Sequence, residues 1–332
     1  MEVAKYYIKE AFHQPKNFQF LHNHVDFLIF DIETTGLNPN IDKIILIGML
    51  FVKNDQIIIT QLFCNNKTDE VQLLQKFSKI IEGYDLYITY NGNTFDIPFL
   101  NKRLEINKIP YVIDRRKSFD LLKTVRSNRD LLNLPDCKLK TLEKFLGIQR
   151  TDTISGAESV LLYEEYVRSK DERLKHAVLL HNHDDLYYLG KCLSFLEYIP
   201  LNNLLQKAPI MVKEEGTLCS INHIKIRKKK IHASGTCFSL APFNQIHYDQ
   251  SYNFSYDVHS NTFDLTVPLY TGQLLTGESC LFINQQEFPI FNNCNTSVEE
   301  ISPYIIQSND DVNHLSLYEF IKSLMRYILQ HK

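Results

Sequence analysis

The sequence has no apolar run long enough to cross a membrane. The longest, Ile44 to Val52, is nine residues, against the roughly 18 that a span requires, and no segment resembles a signal peptide. It also has no CxxC pair. The seven cysteines are an odd number scattered from Cys64 to Cys294, which argues against a disulfide framework or a zinc site and predicts reduced, mostly buried thiols in a cytosol. Nor does one sign of charge dominate: 36 Lys and Arg against 39 Asp and Glu leave a net charge of −3, which by itself does not announce a nucleic-acid binder. What is present is 44% hydrophobic and 23% charged residues in a chain of 332. That composition fits a soluble globular protein of one large domain or two ordinary ones. Charge is uneven locally. Residues 115–150 hold ten Lys/Arg against four Asp/Glu, a basic stretch that suits either a phosphate backbone or an ordinary solvated helical face.

The apolar pattern divides the chain into elements. Residues 25–31 read as a buried strand ending at Asp31. Residues 43–52 and 56–63 follow as two β-branched runs separated by the turn Lys53-Asn54-Asp55, giving an antiparallel meander. A helix is expected over 68–82, a short strand over 85–90, a helix over 94–104, a further strand over 110–119, and helices to about residue 198. After about residue 205 the pattern changes to hairpins. One has the charged tip Arg227-Lys-Lys-Lys230, read as solvated rather than as a nucleic-acid contact. A second turns at 259–262, and an amphipathic helix over 315–330 ends the chain. No repeat or long linker marks the boundary, so the expected division is 1–205 and 206–332.

Three short strings stand out in this framework. In Asp31-Ile-Glu33-Thr-Thr-Gly36-Leu37, the two carboxylates lie two residues apart and leave one face of a strand. Like charges at the end of an apolar strand repel and call for a cation. Gly36 is expected to supply a positive φ for the turn that follows. A bare acid pair would be explained as a strand-end loop; the full run favours a site. In Asn91-Gly92-Asn-Thr-Phe95-Asp96, Thr94 is expected to cap a helix whose first turn holds Asp96. A helix dipole alone would explain that aspartate, but not its place between Phe95 and Ile97. In His181-Asn-His-Asp-Asp185, His181 and Asp185 interrupt an apolar helical stripe at a four-residue step. A lone histidine on such a face is usually a core residue, whereas two stacked polar groups favour a site. Asp184 competes with Asp185, which is preferred. Asp120 reads equally as a supporting carboxylate or a helix cap. Together the strings supply four carboxylates, the number needed to hold two divalent ions about 4 Å apart against a phosphodiester.

The strings resemble the three motifs of the DnaQ-like (DEDD) 3′–5′ exonucleases, the four-acid branch of the ribonuclease-H-like fold. The resemblance covers residues 25–198. Lys138-Leu-Lys-Thr-Leu-Glu-Lys-Phe-Leu-Gly147-Ile and Arg150-Thr-Asp-Thr-Ile-Ser-Gly156 look like the YprB-type bacterial subfamily in particular. The resemblance implies an α/β fold: a ribonuclease-H-like mixed sheet, antiparallel meander plus parallel strands, flanked by helices. To this the hairpins add a C-terminal β-rich domain closed by a helix. It implies that Asp31, Glu33, Asp96 and Asp185 bind two Mg²⁺ or Mn²⁺ ions, and that these residues with His181 hydrolyse DNA or RNA. Thr34, Gly36, Leu37 and Asn91 of the motifs, with Arg115, Arg116, Lys123 and Arg126 of the basic stretch, are the expected nucleic-acid contacts. A helicase or other nucleic-acid-processing partner, no membrane and a cytoplasmic location complete the expectation. The sequence departs from the family at the third motif. One branch has Tyr, three residues, then Asp; another has His, four residues, then Asp. Here His181 has the tyrosine's spacing, and its imidazole, with a pKa of about 6.5, suits deprotonating or orienting a water. Two rivals remain: a non-catalytic nucleic-acid-binding or scaffold protein that kept the fold, and a metallohydrolase acting on other substrates.

Overall fold

A computed structural model of the chain describes residues 1–150, 154–205, 207–238, 240–291 and 303–331. It divides into two compact units, Met1–Phe18 with Asp26–Ile199, and Gln19–Val25 with Pro200–Lys332.

The first unit begins with strand β1 (Glu2–Ala11) and the start of helix α1 (Lys16–His22), then strands β2 (Phe27–Thr34), β3 (Ile44–Lys53) and β4 (Gln56–Phe63). Helix α2 (Glu70–Ile81), strand β5 (Leu86–Thr89), helix α3 (Asp96–Ile106) and strand β6 (Ser118–Asp120) follow, then helices α4 (Leu121–Ser127), α5 (Leu139–Phe145), α6 (Gly156–Ser169) and α7 (Glu172–Cys192). The strands form one six-stranded mixed sheet in the order β1-β4-β3-β2-β5-β6. β1 to β4 pair antiparallel, and β5 and β6 join in parallel. The sheet is buried on both faces, which is why β2 and β3 read as nearly unbroken apolar runs. Leu28, Phe30 and Ile32 of β2 pack with Leu73, Leu74 and Phe77 of α2 and Leu100 of α3. On the opposite face Ile45, Leu46 and Phe63 meet Tyr163 and Tyr166 of α6 and Val178 of α7. Residues Asn54 and Asp55 both adopt positive φ, 51° and 61°, as a two-residue hairpin loop between β3 and β4 requires.

Several boundaries differ from the expectation for local reasons. β1 was not anticipated: Lys5, Lys9 and Glu10 interrupt its apolar pattern, because it is a sheet edge with few fully buried side chains. The strand expected over 110–119 shrinks to Ser118–Asp120. Thr94 does not cap α3; the residue before the helix is Phe95, and no side chain caps it. The last helix of the unit stops at Cys192 and continues as a 3₁₀ turn over Leu193–Tyr198.

The second unit contains helix α8 (Leu201–Leu205) and two antiparallel sheets. Strands β7 (Ile210–Glu214), β8 (Thr217–Arg227), β9 (Lys230–Phe238), β10 (Gln245–Tyr248), β11 (Asn253–Asp257) and β12 (Thr262–Pro268) form a sheet ordered β10-β11-β12-β9-β8-β7. Strands β13 (Tyr270–Gln273), β14 (Ser279–Ile283), β15 (Tyr304–Ser308) and β16 (Asp311–Val312) form the other, which the sequence pattern did not announce. Helix α9 (His314–Gln330) buries Leu317, Phe320, Ile321, Leu324 and Ile328. Both expected hairpins are present, the first turning on Lys228 and Lys229 at positive φ.

The expectation of uniformly reduced thiols is overturned here. Cys219 and Cys237 form a disulfide with Cα atoms 4.0 Å apart, because the β8–β9 register sets them directly opposite each other. Spacing along the chain carries no trace of that pairing, which removes the thiols as an argument for a reducing compartment. Cys64, Cys137, Cys192 and Cys280 are free; Cys294 lies outside the described residues.

Candidate functional site

β2 carries the first two acids. Its odd-numbered residues face α6 and α7 while Leu28, Phe30 and Ile32 face the other core, so Asp31 and Glu33 emerge together under α7. Beyond Ile29 the parallel neighbour β5 no longer pairs with β2, and the exposed edge of the strand is taken over by α3. The backbone N–H of Ile32 donates to Asp96 Oδ1 at 3.3 Å. That bond fixes the third carboxylate beside the first two. The loop before α3 is held from below: Asn91 and Asn93 donate their backbone N–H groups to Asp120 at 2.8 and 3.1 Å, while Asp120 also caps α4 through Leu122. The helix-cap reading of Asp120 holds, and the same carboxylate ties down the loop of the second motif.

From α7, His181 Nε2 lies 3.7 Å from Glu33 Oε1 and 3.6 Å from Asp185 Oδ2. One donor atom from each of Glu33, His181 and Asp185 falls within 4.8 Å of the others. Asp185, rather than Asp184, faces this group; Asp184 turns to His183, 3.1 Å away. The residues border a cleft of about 740 Å³ whose wall includes Thr34, Gly36 and Leu37. Gly36 serves differently from expectation. It is not among the residues at positive φ; instead a Cβ there would sit 2.5 Å from Asp42 Oδ2, so the loop requires close approach rather than left-handed backbone.

The charge of the cluster is poorly compensated. Burial, then repulsion from Asp96, Asp185 and Glu33, pushes the Asp31 carboxyl well above its ordinary range. Burial raises Glu33 to about 7 against the pull of His181, with Asp185 adding to the rise. Burial also raises Asp96 to about 7, opposed by its backbone hydrogen bonds. Several oxygen donors crowded together, three of them disfavoured as anions, are a donor set that fits a hard divalent cation.

Two features escaped the sequence reading. Arg150 donates to Asp185 Oδ1 at 2.5 Å and to Glu143 Oε1 at 3.0 Å, and lies over the Tyr188 ring; a basic stretch does not reveal which of its members turns inward. Asn182 donates to Asp31 Oδ2 at 3.0 Å. It was legible in part, since Val178 and Leu186, four residues to either side, share its buried face.

The expected nucleic-acid contacts fall into two groups. Thr34, Gly36 and Leu37 line the cleft, whereas Arg115, Arg116, Lys123 and Arg126 lie outside its lining, where Lys140 and Arg150 supply the basic groups. Asn91 holds its loop at φ 70°. Arg115 donates to the Asn93 carbonyl and Arg116 pairs with Asp114. Thr151, Asp152 and Thr153 of the passage after the second motif lie outside the described residues.

Comparison with known proteins agrees with this architecture. Residues 28–193, half of the chain, match the sequence profile of the RNase H superfamily. A stretch of 101 residues, 24% of this chain and 7% of the relative, is 36% identical to a DNA polymerase III PolC-type of Ureaplasma parvum. A DNA polymerase of Archaeoglobus fulgidus is 31% identical over 166 residues, 44% of this chain and 20% of the polymerase. The 3′-5′ exonuclease DinG of Staphylococcus aureus is 25% identical over 194 residues, 51% of this chain and 20% of DinG. The chain thus spans between 7% and 20% of the length of these curated relatives.

Proposed function

We propose, from the premise that the chain belongs to the RNase H superfamily, that it is a metal-dependent nuclease, and specifically a 3′–5′ exonuclease of the YprB-type branch. The observation that carries the reading is that donor atoms of Glu33, His181 and Asp185 lie within 4.8 Å of one another in a cleft that Asp31 also lines, while Asp96, held by the Ile32 backbone, adds to the repulsion on Asp31. Those four carboxylates would hold the two Mg²⁺ or Mn²⁺ ions. Bound there, such ions would supply charge stabilisation for both the attacking and the leaving oxygen of an in-line displacement. His181 Nε2 would accept the proton of the attacking water, since imidazole is the side chain whose ordinary pKa lies near neutrality. Thr34, Gly36 and Leu37 would seat the terminal nucleotide against the cleft wall. The expelled group is then a 3′-oxygen and the product a 5′-mononucleotide. The nuclease activity is assigned to residues 1–205 and a supporting, β-rich role to 206–332, with DNA or RNA as partner in the cytoplasm.

One feature favours the rival reading of a nucleic-acid-binding protein without activity. The Arg150 guanidinium already compensates Asp185, as a structural ion pair would. A single assay separates the two. Purified protein is given 3′- and 5′-labelled DNA and RNA oligonucleotides with Mg²⁺, with Mn²⁺ or with EDTA. The nuclease reading expects metal-dependent shortening from the 3′ end and release of mononucleotides. Binding of oligonucleotide with no shortening in either metal rejects it in favour of the rival.

A further inference from the structure

Asp31, Gly48 and Gln61 are register partners on the adjacent strands β2, β3 and β4. They form one row across the sheet, with side chains directed to the α7 face. The middle member has no side chain, and α7 uses the gap. A Cβ on Gly48 would lie 2.0 Å from Asn182 Oδ1 and 2.5 Å from a Leu186 methyl. Asn182 therefore enters the sheet surface where any larger residue would exclude it. Gln61 Nε2 donates to the Leu179 carbonyl at 2.8 Å and to Asn182 Oδ1 at 2.9 Å, and Asn182 Nδ2 donates to Asp31 Oδ2 at 3.0 Å.

The direction of this chain is fixed by chemistry. A backbone carbonyl only accepts, so Gln61 must turn its NH₂ toward Leu179. That NH₂ then makes the neighbouring atom of Asn182 the oxygen, which leaves the Asn182 NH₂ for Asp31. Both amides are fully buried. Burying an amide is favourable only where it is hydrogen-bonded, and an apolar residue would fill the space between Val178 and Leu186 with less risk. The arrangement points to a purpose at Asp31.

We propose that Asn182 is a positioning residue for Asp31, oriented by Gln61 and admitted by the glycine at position 48. It ties down Oδ2 so that Oδ1 is the oxygen offered to a divalent cation. The inference deepens the metal-dependent nuclease reading and rests on it.

The test uses the full chain and Mn²⁺ as probe. Mn²⁺ binding is measured by titration calorimetry, the metal concentration for half-maximal cleavage by assay, and thermal stability on the same samples. Asn182→Ala should weaken Mn²⁺ binding by roughly 10–100-fold, the usual cost of removing a group that orients a ligand. Gly48→Ala, which displaces the Asn182 side chain, should do the same. In Gly48→Ala/Asn182→Ala the added methyl fills part of the space left by the truncation. Melting temperature should recover relative to Asn182→Ala while Mn²⁺ binding stays weak. A merely structural asparagine would regain both together, and that result overturns the assignment. Should Asn182→Ala fail to fold, Asn182→Leu keeps the volume and removes the donor, with the same expected loss of Mn²⁺ binding. Wild-type metal affinity in these variants overturns the role of Asn182 alone. A wild-type protein that binds no Mn²⁺ overturns the nuclease reading and this inference with it.

Discussion

Two groups of buried acids in the same unit are handled in opposite ways. Glu70, at the start of α2, is met by a bidentate Arg103, whose Nε and Nη2 lie 2.8 and 2.6 Å from its oxygens, and by the backbone N–H of Ile44 at 3.0 Å. Glu33 and Asp96 are likewise buried and Asp31 partly so, yet burial together with repulsion from neighbouring carboxylates raises all three. The first group is neutralised by the chain itself. In the second the chain supplies an excess of negative charge and too little to offset it. A fold that can pair one carboxylate so completely leaves others uncompensated where something outside the chain completes them.

The sharpest break of the comparison comes from removing one member of each group. Asp31→Ala or Asp185→Ala is expected to abolish cleavage; in Asp31→Ala the metal-free protein should melt at an unchanged or higher temperature, because one of several crowded like charges is gone, whereas Asp185→Ala also takes a partner from Arg150 and should gain less. Arg103→Met should do the reverse, costing about 3–5 kcal/mol by stranding Glu70 and leaving turnover per folded molecule near normal. Cleavage assays and thermal melts on the same preparations decide both. Full turnover in Asp31→Ala, or an unaltered melt in Arg103→Met, removes the distinction.

His181 belongs to the uncompensated group as its one basic member with a near-neutral ordinary pKa. Its replacement by Ala should reduce the rate by roughly 10²–10⁴-fold and hardly change Mn²⁺ affinity, since the four carboxylates remain. Near-normal turnover with a lowered melting temperature would instead make it a core residue of the α7 stripe, beside Val178.

The pH dependence of stability sharpens the same contrast. In the unfolded chain these carboxyls titrate at about 4, whereas in the folded metal-free protein Glu33 and Asp96 hold their protons to about 7. Across that interval the folded state binds more protons than the unfolded one, so raising the pH weakens folding. The melting temperature in EDTA should fall by several degrees from pH 5 to pH 8, and Mg²⁺ at pH 8 should restore it. A melting temperature in EDTA that stays level or rises over this range, or a fall that Mg²⁺ does not reverse, counts against the cluster.

The sequence made part of this comparison readable and hid the rest. β2, β3 and β4 were legible because both sheet faces are covered and their runs are apolar. The acids at 31, 33, 96 and 185 were legible because they interrupt such runs. What was hidden depends on contacts distant along the chain. Gln61 reaches Asn182 across 121 positions, Cys219 meets Cys237 only through strand register, and Arg150 is distinguished from solvated neighbours only by what it touches. β1 was hidden for the opposite reason: as an exposed edge strand, it lacks the burial that writes a pattern into sequence.

The smallest expected effect concerns the basic stretch, where the structure separates residues that the sequence treated alike. Arg115 supports the loop of the second motif through the Asn93 carbonyl, and Arg116 is locked to Asp114 by three side-chain bonds. Lys123 and Arg126 are exposed on α4. If substrate phosphates reach this helix, each of these two neutralised to Gln should flatten the slope of log affinity against log salt by about 0.7–0.9 unit, with the rate at saturating substrate unchanged. Arg116→Gln should alter the slope less, because its charge is already compensated. Arg115→Gln should act on the rate through the Asn91–Asn93 loop rather than on the slope. Binding titrations of oligonucleotide at several salt concentrations measure all four variants on one scale. Equal slopes throughout would assign Lys123 and Arg126 to solvation and confine substrate contact to the cleft, where Lys140 and Arg150 would then be the residues to neutralise.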